Sequence, residues 1–137
     1  MVCIYCNAPT DVINSRLQRR INNTWRRRKC RSCSGTFTTH ETADLSSAIA
    51  VRYSARKLQP FNRDRLFLSV YESSKHRPTA IADADGLVRT ITTLILQQQA
   101  EGVISRDEII VIAGAVLERF DKTTAAVYNA FHTPATA

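Results

Sequence analysis

The 137-residue sequence lacks most of what marks an enzyme or a membrane protein. No stretch is long and apolar enough to cross a bilayer, so no membrane role is expected. It has no Walker loop, no Gly-x-Gly-x-x-Gly turn and no Ser/His/Asp arrangement, and nothing in it points to catalysis. Internal repeats and long low-complexity tracts are also missing. The first residues, Met1-Val2-Cys3-Ile4-Tyr5-Cys6, do not have the basic start and apolar centre of a signal peptide, which makes the cytoplasm the expected compartment. Cysteine is scarce, with four residues in all. In that compartment two Cys-x-x-Cys pairs read as metal ligands in preference to disulfides. A redox pair would need a βαβ setting, which the pattern does not supply.

What is present starts with those pairs. Cys3/Cys6 and Cys30/Cys33 form two knuckles separated by 23 residues, slightly more than usual for such sites but room enough for a β-hairpin. Two knuckles complete a tetrahedral all-thiolate shell with no open position, the chemistry of one structural Zn2+ and not of a catalytic one. About forty residues bury little core, so the metal should supply most of the folding free energy of this module.

The net charge of +7 is unevenly spread. Residues 1–41 carry +6 of it, in Arg16, Arg19, Arg20, Arg26, Arg27, Arg28, Lys29 and Arg31 against Asp11 and Glu41. Such an imbalance on a metal module points to a polyanion partner, and Arg26-Arg27-Arg28 beside Lys29 is its densest part. In a strand, Arg26 and Arg28 would share a face with Arg27 opposite, whereas an edge or loop could present all three. Trp25 can stack on a base, although covering the small core is the commoner task for a Trp in a mini-domain.

Along the chain, 11–16, 24–28 and 36–40 read as strands around an Asn22-Asn23 turn, within a metal module over 1–42. A small, polar linker is expected at 43–47. A hairpin follows, 48–53 against 56–60 across Ser54-Ala55, ending at Pro60. Helices are expected from an Asn62 cap to about Ser74, from near Asp83 to Gln99, from a Ser105–Glu108 capping box, and over 123–131. Their expected inner faces are Leu66 and Val70 with Phe67 and Tyr71; Leu87, Ile91, Leu94 and Ile95; and Ile109, Ile112, Ala113 and Val116. The fold class is α+β, with a second domain over 48–131 and a short tail at 132–137. His40, His76 and His132 are off knuckle spacing and read as polar or capping residues. Arg52, Arg56, Lys57, Arg63 and Arg65 read either as a solvated edge or as a phosphate-binding corner at a helix start.

Taken together, the motifs resemble the NrdR regulators of bacterial ribonucleotide reductase genes, a zinc ribbon followed by an ATP-cone. The resemblance rests on Cys3-x-x-Cys6, 12–16, Arg26-Arg27-Arg28-Lys29-Cys30-x-x-Cys33 and 37–41. It continues more loosely through Val51-Arg52, 60–66, Arg77-Pro78, 103–109 and Phe120-Asp121, with Tyr128-x-x-Phe131. It implies a ribbon that binds double-stranded operator DNA, with Arg16, Arg26, Arg27, Arg28 and Lys29 as contacts. It also implies a cone that binds ATP and dATP and changes its homo-oligomeric state with the nucleotide. Arg52, Arg65 and Tyr128 would touch the nucleotide, Val51 would form part of the wall, and Lys57 and Gln59 would lie beside it. Arg52 stands where the family usually has Lys, and Gln59 where it usually has Glu. The turn between the hairpin strands is a variant one, and Ala137 falls short of the family's usual tail. The alternative expectation is a nucleic-acid-binding adaptor whose helical domain makes protein contacts without sensing nucleotide.

Overall fold

The computed structural model describes residues 1–99 and 101–135. The final two residues of the expected tail, 136–137, lie outside the described residues. The chain divides into two compact units, Met1–Ala43 and Asp44–Ala137.

The first unit is a three-stranded antiparallel sheet, in the order β1 (Thr10–Gln18), β2 (Asn23–Cys30), β3 (Thr36–Glu41). A 3-10 turn at Arg19–Ile21 joins β1 to β2, and Asn22 takes the left-handed conformation (φ 45°), which Asn tolerates better than most residues. Its apolar interior is only Cys3, Cys30 and Phe37, with Ala8 packed against them. So small a core cannot offset the entropy of ordering this chain, and the cysteine cross-link has to contribute the rest.

The second unit starts with a difference from the sequence reading. Part of the stretch expected as a plain linker forms a helical turn, α1 (Leu45–Ala48), because the Asp44 carboxylate caps it by accepting from the Ser46 amide at 3.0 Å. The hairpin is β4 (Ala50–Ser54) against β5 (Lys57–Pro60). A third strand, β6 (Val103–Ser105), lies parallel to β4, giving the order β5-β4-β6. Three residues offer no periodicity to read, so this strand has no signature in the sequence.

Four helices complete the unit: α2 (Arg63–Ser74), α3 (Ala80–Gln98), α4 (Arg106–Phe120) and α5 (Lys122–Phe131). Asn62 caps α2 through the Arg65 amide (2.9 Å), and the Ser105–Glu108 capping box of α4 is complete. α3 begins earlier than expected, directly after Pro78-Thr79, where Asp83 gathers bonds from Thr79 Oγ1 (2.6 Å) and Arg77 Nε (2.9 Å). On α4 the buried residues are Ile110, Ile112, Ala113 and Leu117, while Ile109 and Val116 are only partly buried. Four successive apolar residues, Ile109 to Ile112, leave the phase of that helix open, and packing against α3 and α5 decides it. One core joins Val51 of the hairpin and Ile49 just before it to Val70, Ile91, Ile95, Ala113, Leu117 and Tyr128. Each such aliphatic side chain contributes on the order of 1.5–3 kcal/mol when buried.

Candidate metal centre and nucleic-acid interface

The four sulfurs Cys3, Cys6, Cys30 and Cys33 lie within 4.8 Å of one another. Cys3 and Cys33 are 3.7 Å apart, Cys6 and Cys30 3.5 Å. A zinc ion roughly 2.3 Å from four thiolates sets them at about that spacing, so the donor set fits Zn2+. The knuckle backbone prepares the sulfurs for a cation. The Tyr5 amide donates to Cys3 Sγ at 3.4 Å, and the amides of Ser32 and Cys33 donate to Cys30 Sγ at 3.3 and 3.4 Å. The Cys33 amide is the largest influence holding the Cys30 thiol down at about 6. Against the Gly35 amide, which acts the other way, neighbouring Cys30, burial, Cys6 and Cys3 push Cys33 up to about 11. Four thiols this close cannot all ionise unaided; a divalent cation removes that conflict.

The sheet held by this centre has two unlike faces. Phe37 is buried on the face that packs on the cysteines, while Thr36, Thr38 and His40 are exposed on the other. Cross-strand register puts three rows on the open face: Asp11–Lys29–Thr36, Asn14–Arg27–Thr38 and Arg16–Trp25–His40. Arg26 and Arg28 project to the opposite face. The expected DNA-contacting residues are therefore divided, with Arg16, Arg27 and Lys29 on one side and Arg26 and Arg28 on the other. Arg26 is paired with Glu41 at 2.7 Å, and Arg28 donates to Thr39 and Thr10, both at 3.3 Å. Arg27 is tethered only by uncharged hydroxyls, those of Thr36 and Thr38.

Arg16 owes its place to a β-bulge. The register shifts between Val12 and Asn14, leaving Ile13 unmatched. A regular ladder would turn Arg16 to the other face, because each one-residue slip reverses side-chain direction. Trp25 is half-buried but does not pack on the Cys3/Cys30/Phe37 core, so of the two tasks considered for it, covering that core is not the one it performs. The ribbon's interior is on the far side of the sheet from it. His40 Nδ1 accepts from Asn23 Nδ2 (2.8 Å), a structural bond, as expected for a histidine outside the metal shell.

In the second unit a cleft of about 270 Å³ opens between the hairpin and the starts of α2 and α4. Val51, Phe61, Leu66, Ile109 and Ile110 give it an apolar floor; Arg65 and Arg106 supply charge; Tyr128 and His132 form one wall. The Tyr128 and His132 rings stack at 4.2 Å, and burial pushes the Tyr128 phenol up to about 12. Of the six residues expected at a nucleotide, Val51, Arg65 and Tyr128 line this cleft, and Arg52, Lys57 and Gln59 do not. Arg52 sits on the other face of β4 from Val51, opposite Ser105. Lys57 lies over the Tyr53 ring at 5.6 Å, and Gln59 accepts from Arg65 Nη1 at 3.5 Å, so both act one residue away from the cleft. The sequence reading missed Tyr53, Phe61, Asn62, Arg106 and His132. Arg106 follows the capping-box serine, a usable signal for a helix start, but only the unforeseen strand β6 brings that start beside β4.

This arrangement defines a class: a zinc-ribbon DNA-binding protein carrying a second α+β unit. Residues 1–41 match the family model described as Transcriptional repressor NrdR-like, N-terminal domain. The Transcriptional repressor NrdR of Syntrophotalea carbinolica is 33% identical over 132 residues, covering 96% of this chain and 81% of the relative. That of Psychrobacter cryohalolentis is 34% identical over 107 residues, covering 77% and 70%, and that of Nitrosomonas eutropha 29%, covering 77% and 66%. The chain belongs to the NrdR family of transcriptional repressors. Among the described residues no helix is long and apolar enough to cross a membrane.

Proposed function

We propose that the protein is a nucleotide-responsive repressor of ribonucleotide reductase genes, acting in the bacterial cytoplasm as a regulator and not as an enzyme. The observation that carries the reading is the open face of the ribbon, where Arg16 and Arg27 flank an indole that has no core to cover and Lys29 extends the same cationic face. When bound, the zinc ion cross-links the two knuckles and keeps that sheet rigid. Arginine forks on a flat, fixed surface suit duplex phosphates and guanine edges. Trp25 supplies apolar contact between them.

Residues 48–131 act as an ATP-cone in this reading, with the cleft as the seat of ATP or dATP. Its apolar floor and the Tyr128–His132 wall suit a purine, and Arg65 and Arg106, each in the first turn of a helix, suit phosphates. Regulation requires that the two nucleotides differ in affinity for two homo-oligomeric assemblies, of which one matches operator spacing. The test is binding to a duplex from the promoter region of the host's reductase genes, at one salt concentration, with ATP, dATP or neither. Tighter binding with dATP is the expected result. Equal affinity in all three would overturn nucleotide sensing, and the protein would then act as a DNA-binding adaptor.

A further inference from the structure

The open face of the ribbon holds one guanidinium in place before any DNA arrives. Arg27 donates from Nη2 to Thr36 Oγ1 at 2.9 Å and from Nη1 to Thr38 Oγ1 at 3.2 Å. Thr38 is directly across the ladder from Arg27, and Thr36 is the next residue of β3 on the same exposed face. Threonine is stiff at χ1, so the two hydroxyls form a fixed cradle beneath the fork. Neither carries charge. Arg26 spends its charge on Glu41, but Arg27 keeps its own, with the remaining N–H groups free for phosphate oxygens or a guanine edge.

We propose that Thr36 and Thr38 are positioning residues of the DNA face, holding Arg27 in the orientation in which it meets the duplex. A long side chain that is already ordered loses less freedom on binding, so the hydroxyls raise affinity without touching DNA or adding charge. The inference rests on the reading of this face as the DNA contact, and it adds to that reading two uncharged residues that act through a third.

The test is a double-mutant cycle on the full, zinc-loaded chain, with the same promoter duplex at fixed salt. Thr36→Val and Thr38→Val keep the β-branched shape and remove only the hydroxyls, and zinc stoichiometry confirms that the ribbon is intact. The paired substitution should weaken binding roughly three- to tenfold. Its salt dependence should be unchanged, because no cation has been lost. Thr36→Ser with Thr38→Ser should restore affinity. In an Arg27→Ala background the valines should cost nothing further. An equal loss with and without Arg27 would overturn the proposal, as would no loss where Arg27→Ala itself weakens binding. If Arg27→Ala leaves affinity untouched, the DNA reading of this face fails and the proposal fails with it.

Discussion

Arg16 stands directly across the β1–β2 ladder from Trp25, on the open face of the first sheet. The unmatched Ile13 turns the end of β1 so that this cation joins Arg27 in place of facing the cysteine side. Arg16→Ala should therefore behave as the loss of a phosphate contact. Duplex affinity should fall uniformly across sequences, and the slope of log affinity against log salt should drop by about one. Titrations at several salt concentrations check this, and an unchanged slope would place Arg16 outside the interface.

Cys30 is buried and accepts two amide hydrogen bonds in addition to its place in the tetrathiolate cluster. Cys30→Ser should release the metal and unfold residues 1–43, since the remaining interior of this unit is so small. Metal analysis and the loss of dispersed amide resonances from the ribbon report the two effects together.

Arg65 links the cleft to the hairpin, donating to Tyr53 Oη at 3.4 Å and Gln59 Oε1 at 3.5 Å. Arg65→Ala should abolish most of the thermal stabilisation by dATP, with little effect on the unliganded protein, because these exposed bonds contribute little net stability. Differential scanning fluorimetry with and without nucleotide separates the two.

Asp121 caps α5, accepting from the Thr124 hydroxyl (2.6 Å) and amide (2.9 Å), and it meets His76 at 3.1 Å. The Thr124 hydroxyl is the largest cause holding its carboxyl at about 2, below the ordinary 3.8. A depressed folded-state pKa gives stability that is present above 3.8 and is lost as pH falls through 3.8 towards about 2. Thermal melts across that window should show the decline, and Asp121→Asn, which still caps but cannot titrate, should lessen it, leaving the share owed to Asp44, Asp83 and Glu108, whose carboxyls are also held below their ordinary values by hydrogen bonds. Asp121→Ala should lower stability at neutral pH, because the cap of α5 is lost.

Gly102 has φ 75° and lies just before β6, where an added Cβ would come within 3.0 Å of the Ala48 carbonyl oxygen. Its own carbonyl accepts from Ala50 N at 2.8 Å, which ties β4 to the approaching strand. Gly102→Ala should destabilise the second unit by about 1–2 kcal/mol, the cost of placing a side chain in left-handed backbone. Chemical denaturation measures it.

Local chemistry explains which parts of this molecule were legible in the sequence. The cysteine spacing fixed the metal centre, and Asn62 and Ser105 with Glu108 marked helix starts because capping is a contact between near neighbours. The bulge at Ile13, the phase of α4 and the strand β6 depend on partners distant in sequence, and no local pattern encodes them. That is why the three consecutive arginines could be found but not assigned to faces. It is also why Val51, Arg65 and Tyr128 were placed at the cleft while Arg52, Lys57 and Gln59 fell beside it. Which of the two tasks considered for Trp25 applies was not legible for a related reason: its surroundings are set by which side of the sheet the knuckles fold onto.

The late position of β6 also fixes a timetable. The last metal ligand is Cys33 and β3 ends at Glu41, so a nascent chain can close its ribbon as soon as metal is available. The hairpin that follows cannot finish its sheet until Val103–Ser105 has left the ribosome, and until α4 and α5 arrive Ile49 and Val51 lack much of their cover. A chain interrupted before Ser105 would thus carry a finished, metal-loaded, nucleic-acid-binding half joined to a sticky, unclosed one. Such a fragment would be prone to aggregate. Prompt completion of the chain, or prompt removal of its fragments, therefore matters more for this protein than its modest size suggests.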